Sequence, residues 1–358
     1  MRWVARLQET DLITVDNITK TIPSDEHPPS ALRGVKFDIP SGAIFGLLGP
    51  AGAGKSTLLR LLGLREAPEA GTVLVDELDA GELSGRRLRD LRGQFALVDS
   101  FGLRAERTVA GNVALPLERL GLDGAARRAR VAELLDLVGL TRAAISSPGE
   151  LNEGQRRRVV LARALATQPS VLLLDEPTLG LDAEQAGGVL AAIDRARAEL
   201  GITVVLATRE ADVVRKVCDG VALFADGRLL EAGTVLSLLT DQTSYTAHAL
   251  LPAVSSTSQV VRDYDAVADV LLVGHATVET LLPAAEDRNE VQIATISGGK
   301  TRVVETPVAR YRIGVRGSNA EQALAWIREH GGLVSAQASA PASVRARRAV
   351  VEQLLQAA

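Results

Sequence analysis

The sequence contains the stretch Gly49-Pro50-Ala51-Gly52-Ala53-Gly54-Lys55-Ser56-Thr57, which matches the phosphate-binding loop pattern G-x-x-x-x-G-K-S/T at every fixed position. The apolar run 43–48 before it predicts a buried strand, and residues 56–62 after it have the apolar spacing of a helix packed on a sheet. Inward-pointing backbone N–H groups and the positive end of the helix dipole bind phosphate in such a loop. We expect these residues to form a nucleotide-binding loop, with Lys55 on the β- and γ-phosphates and the Ser56 hydroxyl on Mg²⁺. The flanking strand and helix argue against the alternative, a chance glycine-rich turn.

A second apolar run, at 171–174, ends in the acidic pair Asp175-Glu176. A phosphate loop requires such a partner further along the chain, because a carboxylate there holds Mg²⁺ directly or through water. We therefore expect Asp175 to be the Mg²⁺ partner. Glu176 is expected to act as the general base that polarises the attacking water.

The composition fits a protein with two domains. The chain has 358 residues, 46% of them apolar and 23% charged, with a net charge of −4. This charge does not favour a surface that coats nucleic acid, so we expect no nucleic-acid partner. Cys218 is the single cysteine, which excludes an internal disulfide, fits a reducing cytoplasm and is expected to fill a small buried space. No secretory signal and no run of about 18 apolar residues is present, so any membrane role must come through a partner.

Strands alternating with helices up to about residue 239 predict an α/β domain with a largely parallel core sheet. The strands are expected at 12–21, 35–39, 71–75, 95–98, 202–207 and 221–224, and helices at 109–140 and 153–166. A polar linker follows, and then the order βαββαβ, which predicts a small α+β ferredoxin-like sandwich. Its strands are expected at 270–273, 291–296, 309–315 and 333–336 around a Gly298-Gly299 turn, with helices at 278–285 and 319–329. The predicted divisions are residues 1–240, the linker 241–265, the second domain 266–340 and a helical tail 341–358.

Two further segments complete a set of motifs. Leu151-Asn152-Glu153-Gly154-Gln155 lies about twenty residues before Asp175, and Leu179-Gly180-Leu181-Asp182 follows Glu176. With the phosphate loop and the acidic pair, this set resembles the ATP-binding cassette (ABC) ATPases over residues 10–240. The resemblance implies a cassette with a parallel core sheet, antiparallel strands and a helical subdomain, which binds ATP and Mg²⁺.

Such cassettes work as pairs, in which the phosphate loop of one subunit and the L-S-G-G-Q signature of the other enclose each ATP. The resemblance implies that Asn152, Gly154 and Gln155 make the contact in trans to the γ-phosphate. It places Asp182 in the loop across the dimer interface. The pair is expected to form with a second copy or with a related subunit.

Several positions depart from the family pattern. Asn152 replaces the signature serine, which keeps a good helix N-cap, and Glu153 replaces the first glycine. Asp99 falls where the family has a glutamine, Arg209 where it has the switch histidine, and Ile22 where an aromatic residue stacks on adenine. We expect Asp99 and Arg209 to take part in catalysis, with Asp99 also a Mg²⁺ ligand and Arg209 a γ-phosphate contact. Together these changes lead us to expect slower hydrolysis.

The two substitutions of opposite sign suggest a hypothesis. Asp99 and Arg209 are expected to form an ion pair in the nucleotide-free state, which the γ-phosphate would break. Drift in a cassette that no longer needs fast hydrolysis is the alternative.

Within the family, residues 107–117 are similar to the ATP-binding subunits of methionine importers. The second domain resembles their C-terminal regulatory (NIL) domain, best at 319–332. That resemblance implies a domain that binds the transported amino acid and inhibits transport when it is plentiful. A domain used only for dimerisation remains the alternative.

The resemblance implies the ATP-binding subunit of an importer for methionine or a related amino acid. Its partners would be a membrane permease and an extracytoplasmic substrate-binding protein, and it would lie peripherally on the cytoplasmic face of the cell membrane. A degenerate cassette that binds ATP as a regulatory switch with little turnover is the first alternative. A soluble ABC protein of DNA repair or translation is more distant, because those normally carry two cassettes or large insertions.

Overall fold

The computed structural model describes residues 11–21, 31–241, 243–254 and 262–336. Contacts divide the chain into two compact units, with the boundary between Ala232 and Gly233. The strands are β1 (Asp11–Thr21), β2 (Ala31–Pro40), β3 (Ile44–Leu48), β4 (Ala70–Val75), β5 (Leu78–Asp79), β6 (Phe95–Val98), β7 (Val171–Asp175), β8 (Thr203–Thr208), β9 (Gly220–Ala225), β10 (Arg228–Thr234), β11 (Ala266–Val273), β12 (Gln292–Val303), β13 (Thr306–Arg316) and β14 (Leu333–Ala336).

The α-helices of the same residues are α1 (Lys55–Leu62), α2 (Gly85–Gly93), α3 (Val109–Arg119), α4 (Gly124–Leu137), α5 (Glu153–Leu165), α6 (Ala183–Leu200), α7 (Ala211–Val217), α8 (Val235–Thr240), α9 (Tyr245–Leu250), α10 (His275–Asn289) and α11 (Ala320–Glu329). Short 3₁₀ turns occur at Ala80–Glu82, Thr141–Ala143 and Pro148–Glu150. In the described ranges no helix combines the length and the apolar character needed to cross a bilayer.

The core sheet of the first unit has the order β10-β9-β3-β8-β7-β6 in the described residues. Its inner strands are parallel, with Leu48 beside Thr208 and Asp175 beside Ala207. Strands β7 and β8 are almost completely buried, as expected for a parallel sheet covered on both faces. Because the paired strands end in register, the loops that follow them meet at one edge of the sheet, where open α/β sheets bind ligands.

A second sheet, β2-β1-β4-β5, is antiparallel, and its apolar side chains join the same core as the parallel sheet. Phe37 of β2 stacks on Phe45 of β3 at 5.5 Å between ring centroids. The four leucines of α1 belong to this core and are at most 1% exposed. This burial fixes the helix that follows the phosphate loop. The predicted α/β class with a parallel core sheet and added antiparallel strands is confirmed.

Cys218 packs inside the first unit. Its thiol is completely buried, and burial raises its pKa far above the ordinary value. Its Sγ would lie 3.1 Å from a Cβ at Gly46, so the side chain fills the space that this glycine leaves. The sequence prediction of a space-filling cysteine is confirmed.

The second unit contains a βαββαβ element with the antiparallel sheet order β12-β13-β11-β14. This is the ferredoxin-like order that the sequence predicts. Helices α10 and α11 pack Leu281 and Ile327 against Val270 and Ile313 of the sheet. The sheet and its helices therefore share one apolar core.

The predicted Gly298-Gly299 turn is wrong. Both glycines lie inside β12, and the hairpin turns at Val304 and Glu305. Gly298 follows an irregularity in the strand register and has φ +103°, where a Cβ would overlap the carbonyl oxygen of Arg310. A glycine is required there for the close approach of two backbones and not for a turn.

The predicted linker is also not wholly irregular. Helix α9 lies within it, capped by the Ser244 side chain, which accepts from the Ala247 N–H. Leu250, Leu251 and Val254 are buried, so this segment contributes apolar side chains to a core. The strand β10 and the helix α2 were not predicted. Ile22 and the proposed tail 341–358 lie outside the described residues.

Candidate functional site

A cavity of about 530 Å³ opens at the carboxyl edge of the parallel sheet. The loops after β3, β6, β7 and β8 contribute to its wall, as the strand register predicts. Its lining residues are Ala51, Gly52, Ala53, Gly54, Lys55, Ser56, Thr57, Asp99, Phe101, Arg157, Asp175, Glu176, Leu179 and Arg209. The structure thus brings most of the loop 49–57 together with the acidic pair and with both substituted positions.

The phosphate loop is held in shape by its own lysine and glycines. Lys55 Nζ donates to the carbonyl oxygens of Gly49 at 2.6 Å and Pro50 at 2.9 Å. A Cβ at Gly49 would lie 2.5 Å from the Phe224 carbonyl oxygen, so only glycine fits there. Gly52 and Gly54 have φ of 75° and 93°, in the region that favours glycine. The loop therefore presents its backbone to the cavity in one fixed conformation.

Lys55 is 5% exposed, and this burial lowers its pKa. The carboxylates of Glu176 and Asp175 oppose this shift because they favour the charged ammonium. Lys55 Nζ lies 3.6 Å from Glu176 Oε1. The two groups that the sequence assigned to phosphate binding and to catalysis are thus in direct contact.

The oxygen atoms of Asp175 and of the cavity wall around it suit a magnesium ion. Asp175 Oδ1 is buried and has no hydrogen-bond partner, so an acceptor is left open toward the cavity that Ser56 and Asp99 also line. Mg²⁺ prefers oxygen ligands and is usually held by one or two carboxylates plus phosphate and water. No group of three or more His, Cys, Asp or Glu side chains suited to a metal occurs in the described part of the chain. The ion would therefore need the nucleotide's phosphates to complete its shell.

Glu176 has an unusual backbone and a crowded carboxylate. Its φ is 46°, and its N–H donates to the Ala207 carbonyl at 2.9 Å. Oε2 accepts from the backbone N–H of Arg209 at 3.4 Å, and Oε1 lies 3.7 Å from Arg209 Nε. Burial raises the pKa of this carboxyl, while Lys55 and Arg209 act in the opposite direction. The carboxylate thus lines the cavity between two cationic side chains.

The proposed Asp99–Arg209 pair is wrong for this structure. Arg209 contacts Glu176, and no ion pair joins Asp99 to Arg209 among the residues that the structure describes. The sheet order gives the reason. Arg209 follows β8 and Asp99 follows β6, so β7 lies between them and separates the two loops by two strand spacings, about 10 Å.

The signature residues lie elsewhere. Asn152 caps α5 by accepting from the Gln155 N–H, and Gln155 Oε1 accepts from the Asn152 N–H in return. The Gly154 N–H donates to Gln185, whose own N–H donates to the Asp182 carboxylate. None of Asn152, Gly154, Gln155 or Asp182 lines the cavity of its own chain. The N-cap expected of Asn152 is confirmed, and its contact to phosphate stays a prediction.

Sequence reasoning missed three wall residues: Phe101, Arg157 and Leu179. Arg157 lies one helical turn after Glu153, which places both on one face of α5, and Phe101 is two residues beyond Asp99. These spacings were available signals. Their meeting in one cavity wall depends on strand order.

Comparison with known proteins gave consistent matches. A family model described as "ABC transporter" matches residues 32–179. The methionine import ATP-binding protein MetN 2 of Yersinia pestis bv. Antiqua (strain Antiqua) is 37% identical over 327 residues, covering 89% of this chain and 98% of the relative. The methionine import ATP-binding protein MetN of Streptomyces griseus is 38% identical over 329 residues, covering 89% and 91%.

Two solved structures are similar to part of this chain. The dimeric ATP-binding cassette MJ0796, in a post-hydrolysis state with ADP and Pi, is 31% identical with a TM-score of 0.54. It covers 62% of this chain and 98% of its own. The cbiO1 protein of Clostridium perfringens, part of the ABC transporter complex cbiONQ, is 27% identical with a TM-score of 0.59, covering 65% and 92%.

Proposed function

The chain belongs to the ATP-binding proteins of ABC transporters, and we propose that it drives an importer of methionine or a related amino acid. The resemblance in the motifs predicted membership of this family and ATP hydrolysis coupled to transport. Both predictions are confirmed by relatives that match over most of their length. The names of these relatives support methionine or a related amino acid as the transported substrate. The uptake of that amino acid by this chain's transporter is the proposal.

The observation that carries the proposal is the meeting of Lys55, Asp175 and Glu176 in one cavity behind a fixed phosphate loop. In the proposed reaction, Lys55 and the loop N–H groups bind the β- and γ-phosphates of ATP. Glu176 accepts a proton from water while the water oxygen attacks the γ-phosphorus. The bond between the γ-phosphorus and the oxygen that bridges it to the β-phosphate breaks, which releases ADP and phosphate. Mg²⁺, held by Asp175 and Ser56, would neutralise charge on the phosphates.

We propose supporting roles for Asp99 and Arg209 in this reaction. Asp99 lines the cavity as a further oxygen ligand available to Mg²⁺. Arg209 contacts the base directly, and its fixed charge is suited to the γ-phosphate. Slower hydrolysis than in a cassette with glutamine and histidine at these positions remains our expectation.

We propose that two such chains pair. Asn152, Gly154 and Gln155 of one chain would then face the phosphate loop of the other, and their position outside the cavity of their own chain supports this arrangement. The remaining proposed partners are a membrane permease and an extracytoplasmic substrate-binding protein. The chain would work peripherally on the cytoplasmic face of the membrane.

Phosphate release from Mg²⁺-ATP tests the proposed function. Glu176→Gln keeps the shape of the side chain but removes the base, so we expect turnover to fall by about a hundredfold or more while ATP still binds. Glu184→Gln is the matched control, because Glu184 is exposed in the first turn of α6. Equal turnover in the parent and Glu176→Gln would remove Glu176 from the mechanism.

One observation favours the alternative of a regulatory switch. Lys55 and Arg209 both lie within 4 Å of the Glu176 carboxylate, so two cations compete with water for the base. A switch would bind ATP tightly, yet neither the parent nor Glu176→Gln would release phosphate above a blank without protein. The same measurement therefore separates the two functions.

For the second unit we propose binding of a regulatory amino acid, by its ferredoxin-like topology and its likeness in sequence pattern to the regulatory domains of methionine importers. A shift in the unfolding temperature of the full chain with methionine, absent with an unrelated amino acid, is the expected result. No shift with any common amino acid would favour a unit used only for dimerisation.

A further inference from the structure

We propose that Arg157 is a positioning residue for Glu176, and that it does so by tying the loop after β7 to Phe101 in the loop after β6. The inference rests on the proposed function, because it concerns the base of the same hydrolysis. Arg157 belongs to α5, the helix that begins at the signature segment. It therefore also links that helix to the base.

The backbone of Glu176 needs an external support. Its φ of 46° is in the left-handed region, which a residue with a long side chain adopts only when its surroundings hold it there. The N–H side of the residue is fixed by the Ala207 carbonyl on the adjacent strand. The carbonyl side accepts from donors in the turn itself and in α5.

Arg157 supplies those donors from α5. Its Nη1 donates to the Glu176 carbonyl at 3.1 Å, and its Nη2 donates to the Leu179 carbonyl at 2.6 Å. The Leu179 N–H also donates to the Glu176 carbonyl, at 3.3 Å. One guanidinium thus spans the turn 176–179 and holds both of its ends.

The same guanidinium is fixed from two other sides. Its Cζ lies 4.6 Å from the centroid of the Phe101 ring, a distance suited to a cation–π contact. Arg157 Nε lies 3.6 Å from Glu153 Oε1 in the first turn of α5. The side chain is only 11% exposed, so water competes weakly for these contacts. A shift of the Phe101 loop would therefore be transmitted to the turn that carries the base.

Only an arginine can make this set of contacts. A guanidinium donates in two directions from one plane and offers a flat face to an aromatic ring, whereas a lysine ammonium is a compact charge. Arg157→Lys should keep the charge but lose one carbonyl and the stacking. Removing the support should displace Glu176 without changing the phosphate loop, so hydrolysis should slow while ATP binding persists.

The test compares Arg157→Lys and Arg157→Gln with Arg158→Lys in the full chain. Arg158 is the matched control, because it is the next residue of the helix and donates to the Val138 carbonyl, away from the cavity. We expect both Arg157 variants to lower kcat for Mg²⁺-ATP by about tenfold to a hundredfold, with KM changed less than about twofold. The Arg158 variant should keep the parent kcat.

Hydrogen exchange provides a readout that needs no activity. In the Arg157 variants, a peptide spanning residues 176–181 should exchange faster than in the parent, and so should one spanning residues 99–103. Unchanged exchange at 176–181 in soluble, folded Arg157→Lys would overturn the inference, as would equal loss of kcat in the Arg158 control. A parent chain without ATP hydrolysis would instead overturn the proposed function, and exchange would still show whether Arg157 holds the turn.

Discussion

At the scale of single residues, Asp219 illustrates how a buried charge depends on pH. Its Oδ2 accepts from the Ile44 N–H at 2.9 Å, and its own N–H donates to the Ile44 carbonyl at 2.8 Å. Burial is the largest influence and raises the pKa of this carboxyl above its ordinary value of 3.8. The stability that the protonated group contributes is therefore fully present below pH 3.8 and is lost as the pH rises through the folded-state pKa.

Asp219→Asn should remove this loss. Asparagine keeps an oxygen that accepts from Ile44 but cannot ionise, so the variant should gain stability relative to the parent as the pH rises. We expect it to be at least as stable as the parent near about pH 8 and similar near about pH 3, by urea unfolding followed with circular dichroism. Asp219→Ala is the control and should lose about 1–3 kcal/mol, because the Ile44 N–H is left without its acceptor. An asparagine variant as unstable as the alanine variant at the higher pH would contradict the expectation.

The residues that could be predicted from the sequence are those with fixed local spacing. Lys55, Asp175 and Glu176 line one cavity, as the sequence predicts, because a phosphate loop and a strand ending in acids can each be recognised from local spacing. The partner of Arg209 could not be predicted, since it depends on which strands are neighbours, and the sequence does not contain that order. Arg157 was missed for the same reason.

At the scale of elements, the β12–β13 hairpin contains two adjacent glycines of which only one is required by the backbone. Gly298 has φ +103° and faces the Arg310 carbonyl, whereas a Cβ at Gly299 would meet only Pro252 at 3.9 Å. The turn itself uses Val304, at φ 53°, although β-branched residues rarely adopt this conformation. Adjacent glycines between two apolar runs normally indicate a turn, so local sequence favoured the wrong position.

Gly298→Ala should therefore destabilise the second unit by more than about 1 kcal/mol, because an alanine there is strained and also overlaps the facing strand. Gly299→Ala is the matched control and should be nearly neutral. Thermal unfolding followed by tryptophan fluorescence is suitable, since Trp326 lies in this unit. Equal shifts in the two variants would show that the irregular register of β12 does not require glycine at 298.

At the scale of the whole molecule, the separation of the signature from the cavity has a direct test. Lys55→Ala removes the phosphate loop's cation, and Gly154→Asp places a negative charge in the signature of the same chain. Each variant alone should be inactive as a homodimer. A heterodimer of the two contains one site with both parts intact, so we expect about half the parent's phosphate release per dimer.

Purifying that heterodimer on two different affinity tags excludes the homodimers. A mixture of the two separately purified variants, assayed before subunits exchange, is the control and should remain inactive. An inactive heterodimer that still binds ATP would argue that the signature and the phosphate loop do not act across two chains.

The overall organisation was largely predictable, because a parallel sheet and a βαββαβ order both leave strong periodic patterns in the sequence. The segment around α9 was not. Its polar residues, including the cap Ser244, make the segment resemble an exposed linker. Leu250, Leu251 and Val254 are nevertheless buried, which only the folded chain shows.

The burial of Cys218 makes the chain convenient for labelling. It is the sole cysteine of the sequence, and its thiol has no exposed surface and a raised pKa, so the thiolate that attacks a maleimide is scarcely formed. A cysteine introduced at an exposed position would then be the only thiol open to a dye or a spin label. Distances between two paired chains can therefore be followed by fluorescence transfer through the ATP cycle, with the native cysteine left in place.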